Sequence, residues 1–185
     1  MAKVRGQGAD VRLIAAFESS YGVAPADGYR SMLVTKFDPG ASKPLGYEPE
    51  LGQGPEAQDP FYDPIDVRPS WEVQAGIRSI GFWLKHLLGA PVTTGAGPYT
   101  HVFTSGKELP SIAVEVGLTG IVTPFYKLVS GLKAGTCSID LSRRGPLKVA
   151  LTGVGQALGK ATSTVDASLA TDFVAGKWFN NGLTL

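Results

Sequence analysis

Few residues in this sequence have the types and spacing that chemistry demands. Cys137 is the single cysteine, and His86 and His101 are the only histidines. They form no set with metal-ligand spacing, and neither histidine has a partnered cysteine or a serine nucleophile elbow. Both read as structural. Glu48, Glu50 and Glu56 cluster in a stretch dense in proline and glycine, where carboxylates are solvated and lack the rigid support that paired acid–base work needs. The "GQGPE" and "GAGP" stretches bring glycines close together, yet neither follows a strand, opens a helix or ends in Gly-Lys-Ser/Thr. They read as turns. Phe125 and Tyr126 beside Lys127 have the makings of a base-stacking platform, but aromatic residues in an amphipathic strand ordinarily face a core. No cofactor or metal is expected, and the sequence argues against an enzyme.

Composition points toward burial against partners instead. Only 18% of the 185 residues are charged, below the usual quarter, so the surface carries fewer ionic groups than that of an ordinary soluble monomer. The formal net charge of +1 argues neither for tight nucleic-acid binding nor for an acidic solvating tail. The 24 glycines and 13 prolines are spread along the chain, which favours many turns between short strands. A lone cysteine rules out an intrachain disulfide and points to folding in a reducing cytoplasm. The N-terminus "MAKVRGQGADVR" has no apolar core of signal-peptide length, and no run reaches the eighteen apolar residues of a membrane span. No membrane insertion by this chain is expected.

The elements that must position any site follow from periodicity. "VRLIAAFE" (11–18) and "YRSMLVTKF" (29–37) read as strands. "IDVRPSWEVQA" (65–75) alternates, with Ile65, Val67, Pro69, Trp71, Val73 and Ala75 on one face and Asp66, Arg68, Ser70, Glu72 and Gln74 on the other; Pro69 marks a bulge or an edge. One helix is predicted within "IRSIGFWLKHLLGAP" (77–91): Ile77, Ile80, Leu84, Leu87 and Leu88 form its packing stripe, and Gly89 and Pro91 stop it. Phe82 and Trp83 lie off the centre of that stripe, within reach of a neighbouring subunit. Short strands separated by glycine turns then follow in a meander, and the polar segment 156–173 reads as a second long loop. The ending "GKWFNNGLTL" suggests a longer parent continuing past residue 185.

Residues 38–64 form the longest irregular stretch, and its six prolines exclude helix and central strand. Loops of this length in a compact domain are uncommon and usually functional or disordered. Leu45, Tyr47, Leu51, Phe61 and Tyr62 would be wasted on a solvated linker, so the loop is expected to dock.

The ordered series "FESSYGVAP", "LGYEPELGQGP" and "GFWLKHLLGAPVTTGAGPYTHVFTSGKELPSIAVEVG" resembles the tail tube proteins of tailed bacteriophages and of phage-derived gene transfer agents, over roughly the first two-thirds of the chain. The resemblance implies a single tail-tube-like domain over residues 1–185: an antiparallel β-sandwich or partly rolled barrel with one flanking helix and a long loop. Copies would close into a hexameric or pseudo-hexameric ring, and rings would stack into a hollow conduit for viral DNA. The implied partners are the chain itself, the tape measure, tail terminator and baseplate proteins, and DNA in non-specific passage. The implied location is the virion tail, after synthesis in the host bacterial cytoplasm. A bore must not grip phosphates, so Asp66, Glu72, Gln74, Glu115 and Asp140 are the lumen-facing candidates, and residues 38–64 carry ring stacking. Two other readings share these features: a type VI secretion-like tube that exports effectors, and a monomeric ligand-binding β-barrel.

Overall fold

The computed structural model describes residues 6–47, 59–76, 79–140, 146–166, 168 and 171–172. Leu51 and Ile77, together with Glu48, Glu50, Glu56 and the C-terminal stretch 173–185, lie outside the described residues.

The chain enters through β1 (Val11–Phe17) and β2 (Arg30–Ser31), then β3 (Val34–Asp38). Four two-residue strands follow, β4 (Ala41–Ser42), β5 (Leu45–Gly46), β6 (Phe61–Tyr62) and β7 (Asp66–Val67), leading into β8 (Ser70–Gln74). Helix α1 (Ile80–Leu88) and the hairpin of β9 (Val92–Thr94) and β10 (Thr100–Val102) come next. The chain then runs through β11 (Ile112–Leu118), β12 (Phe125–Asp140), β13 (Lys148–Val154), β14 (Ala157–Ala161) and β15 (Thr171–Asp172). A nine-stranded sheet runs in the order β15-β2-β1-β11-β12-β13-β8-β3, with β14 also paired to β12. All of its pairings are antiparallel except β15 with β2. The expected mainly β fold with one flanking helix is what forms, and its sheet does not close into a complete barrel.

The sheet must nevertheless roll. β2 lies near one end of the strand order and β3 at the other, yet only Met32 and Leu33 separate them. Two residues span less than about 11 Å even when fully extended, so the far ends are drawn together around a common interior. That interior holds Leu13, Ala15, Met32, Trp71, Val73, Ile112, Val114, Val129, Leu132 and Leu151. The stretch 29–37 is therefore two strands, not the single one its apolar pattern suggests.

β12 is long enough to serve two neighbourhoods. Its first half pairs with β11 on one side and β14 on the other, and its second half pairs only with β13. β13 and β14 lie in nearly one register along β12, interrupted at Gly155 and Gln156. Residues 157–161, expected in a loop, are thus the continuation of a long hairpin, and residues 171–172 add a further strand. The alternation of 65–75 holds from Val67 to Ala75, while Ile65 is exposed. Pro69 sits buried at the break between β7 and β8, where its missing N–H costs no ladder bond.

Helix α1 ends at Gly89, whose φ of 102° and whose N–H donating to the Lys85 carbonyl close the last turn. Its inward face differs from the expected leucine stripe. Trp83 and His86 are the buried side chains, Ile80 and Phe82 pack against the core, and Leu84, Leu87 and Leu88 are only partly covered. The reason is aromatic: Trp71 on β8 lies 6.0 Å from Trp83 and 6.1 Å from His86, ring centre to ring centre, and Phe82 stacks on Phe17 at 4.5 Å. Phe82 and Trp83 therefore fix the helix to its own sheet.

His86 is fully buried, and its Nδ1 lies 3.2 Å from the Pro110 carbonyl, an arrangement in which the nitrogen must donate. Burial lowers its pKa to about 4, against an opposing upward pull from that carbonyl. The unfolded chain thus takes up a proton near pH 6.5 while the folded one does not. Stability from this residue is intact above that pH and falls as pH drops toward 4, by about 3 kcal/mol in total. In denaturant titrations, the stability difference between the wild type and His86→Leu should shrink by that order between pH 7 and pH 4.5. A pH-independent difference would show that His86 does not titrate in this window.

Candidate functional site

Cross-strand pairing assigns the outer face of the roll directly. Asp140, Lys148 and Gln74 lie in one row across β12, β13 and β8; Ser138, Ala150 and Glu72 in the next; Thr136, Thr152 and Ser70 in a third. Because successive residues of a strand face opposite ways, the intervening row of Cys137, Leu151 and Trp71 turns toward the interior. The result is one polar face of small hydroxyls and a few charges. Glu72, Gln74 and Asp140, three of the five lumen candidates, share it.

Two of the charges on this face, Glu72 and Lys148, form an ion pair. Lys148 Nζ is 3.0 Å from Glu72 Oε1, and Thr35 donates to the same oxygen at 2.8 Å. The Thr35 hydrogen bond, followed by the contact with Lys148, holds the Glu72 carboxyl below its ordinary pKa. Thr136 and Thr152 pair through their hydroxyls at 2.6 Å. Asp66, at the base of the loop, is exposed and lies 2.8 Å from the Arg68 guanidinium.

Glu115 belongs elsewhere. It sits on the outer face of β11 but under a covering segment, 3% exposed, and accepts from Thr164 Oγ1 at 2.6 Å and from the Val165 N–H at 2.7 Å. A carboxylate buried in this way does not line a bore. The alternating pattern that nominated it is real, but β1 and β11 are covered on both faces: Ile14, Ala16, Tyr29 and Ala113 form a second small core, with Ala24, Leu128 and Val165 against it. Burial, with the charges of Glu115, Asp166 and Glu18 nearby, raises the Tyr29 pKa.

Sequence reasoning missed Glu18, the counterpart of Glu115. Its carboxylate accepts from the N–H of Gly22 at 2.9 Å, from Ser111 Oγ at 2.6 Å and from the N–H of Gly131 at 2.7 Å. Gly22 and Gly131 have φ of 78° and 65°, conformations that side-chain-bearing residues rarely adopt. One carboxylate thereby pins a turn, the end of β1 and the middle of β12. The only sequence signal was an acidic residue closing an apolar strand just before a glycine-containing turn.

The loop 38–64 begins and ends as a projecting hairpin arm. Ala41 and Ser42 pair with Val67 and Asp66, and Leu45 and Gly46 pair with Tyr62 and Phe61. Two successive strand pairs, β4 with β7 and then β5 with β6, carry the arm outward from its root at Asp38. Leu45, Tyr47, Phe61 and Tyr62 are all largely exposed along it. A second hairpin, β9–β10, also exposes Val92, Tyr99 and Val102.

Replacing Glu115 with alanine should cost about 2 kcal/mol in urea unfolding, since hydrogen bonds to a charged group are lost and the Val165 N–H is left without its acceptor. Glu72→Ala, at the surface, should cost much less. Equal losses for the two variants would contradict this assignment of a covered and an open carboxylate.

A family model described as phage tail tube protein matches residues 8–185. No curated protein matches the sequence. Among solved structures, a chain in the cryo-EM structure of the anti-feeding prophage (AFP) baseplate, 6-fold symmetrised, is similar with a TM-score of 0.53 at 8% identity, over 82% of this chain and 91% of that one. That is a likeness of fold. Since the family model spans the chain from its eighth residue to its last, the protein belongs to the phage tail tube proteins.

Proposed function

We propose that this phage tail structural subunit closes into six-membered rings that stack into a hollow tube for DNA. The observation that carries this reading is the open architecture of the roll. Along its second half, residues 133–140, β12 pairs with β13 and with no other described strand, which leaves a free ladder edge. Such an edge is a liability in a monomer and a joint in an assembly. Six copies fit the symmetry of the similar baseplate structure.

The bore reading rests on the polar face. A surface of Thr136, Ser138, Thr152 and Ser70, in which Glu72 is matched by Lys148, offers few unpaired cations to phosphates. Each phosphate that such cations neutralise adds salt-dependent affinity and would slow translocation. Asp66 and Asp140 add negative charge at its margins. Tape measure, tail terminator and baseplate proteins are the further partners of such a tube, and the subunit is made in the host cytoplasm. Its role is mechanical, with no catalytic step.

Light scattering of the whole chain across a concentration range should show mass growing beyond a monomer, and negative-stain images should show rings or tubes. Replacing residues 43–65 by an Asn-Gly turn, which suits a two-residue hairpin connection, should leave unfolding cooperative while abolishing long tubes. A strict monomer at every concentration would refute the tube; tubes of normal length without the arm would refute its role in stacking.

A further inference from the structure

The interior of the roll does not end at its core. Where the N-terminal end of β1, the C-terminal end of β11 and the start of β12 face residues 32–39, an open mouth of about 560 Å³ continues the inner face outward. Its wall includes Leu33, Val34, Leu118 and Phe125, with Lys36 and Lys127 at its margin. Leu33 is 58% exposed there. This is the seam that the two-residue link between β2 and β3 leaves unsealed, and its size is that of a pocket that encloses a ligand.

We propose that this mouth receives the hairpin arm of a second copy of the chain. Resting on the tube reading above, this inference names the surface on which the arm docks. The two surfaces match in both chemistry and charge. The described parts of the arm carry three carboxylates, Asp38, Asp59 and Asp63, against the single cation Lys43. The margin of the mouth carries two lysines. Apolar side chains in a charged setting occur on the arm as well: Leu45, Tyr47, Phe61 and Tyr62 are 57%, 66%, 47% and 68% exposed. Burying an aromatic side chain of this kind contributes on a scale that dominates interface energetics.

The contact is made between chains. Pro39, at the root of the arm, itself lines the mouth, and the pairs Ala41–Val67 and Leu45–Tyr62 hold the arm extended beyond that root. The exposure of its apolar residues shows that a chain's own arm does not fill its own mouth. Because arm and mouth are different surfaces, the contact is heterologous and passes from copy to copy until it closes a ring or runs on as a filament.

Cross-linking tests this on the whole chain. With Cys137→Ser removing the native thiol, chains carrying Leu33→Cys are mixed with chains carrying Tyr62→Cys under mild oxidation. Both positions are exposed, so neither change threatens the fold. The expected product is a disulfide-linked heterodimer, and the double variant should give a ladder of covalent oligomers. Lys36→Glu with Lys127→Glu should weaken the cross-linking about tenfold, and Asp59→Lys with Asp63→Lys in the partner should restore it. Tubes seen by microscopy without cross-links would overturn the arm–mouth contact and leave the tube standing. Covalent dimers without rings or tubes would support the contact and overturn the tube. A disulfide formed only within one chain would place the arm in its own mouth and overturn the proposal.

Discussion

The two-residue connection between β2 and β3 constrains everything else in this fold. Strands at nearly opposite ends of a nine-stranded sheet are held within the span of Met32 and Leu33, so the sheet has to curl until its ends approach. Curling creates the interior, and the interior explains the helix. A rolled sheet leaves one flank of large side chains uncovered, and α1 covers it through Trp83 and His86 against Trp71. β2 pairs with β1 and β3 with β8, not with each other, and the mouth opens beside their link.

Around that roll, two carboxylates do work that an apolar core cannot. Glu18 and Glu115 each accept hydrogen bonds from connecting segments, holding residues 18–22 and 164–165 over the outer face of β1 and β11. Burying a carboxylate is costly unless its acceptors are used, and here they are. The covering segments hide one outer face, while the face of β12, β13 and β8 stays open and polar. On the proposed reading, the open polar face is the bore, and edge, arm and mouth meet other copies.

Much of this was legible in the residues, for reasons that also explain the failures. The alternation from Val67 to Ala75 is clean because β8 buries one face only, and Gly89 announced the end of α1. β1 reads less clearly because Leu13, Ile14, Ala15 and Ala16 are all buried, and a strand covered on both faces does not alternate. Glu115 misled for the same reason: its position in the alternation marks the outer face, but pattern cannot tell that a segment about fifty residues later covers it. The helix stripe was misread because leucine count outweighed shape. Trp83 and His86 are spaced three apart on the face that meets Trp71, a partner that only tertiary structure supplies. The split of 29–37 into two strands at opposite ends of the sheet has no local signal beyond the run of apolar residues itself.

The central claim is that copies of this chain complete a roll that is open on its own. Hydrogen exchange along β12 reads this directly, since its two halves differ in how many neighbours they have. In isolated subunits, amides of 125–132, flanked on both sides, should exchange slowly, and those of 135–140 that point away from β13 should exchange fast. In assembled material the 135–140 amides should become protected while 125–132 change little. Unchanged fast exchange at 135–140 in well-formed tubes would contradict the account.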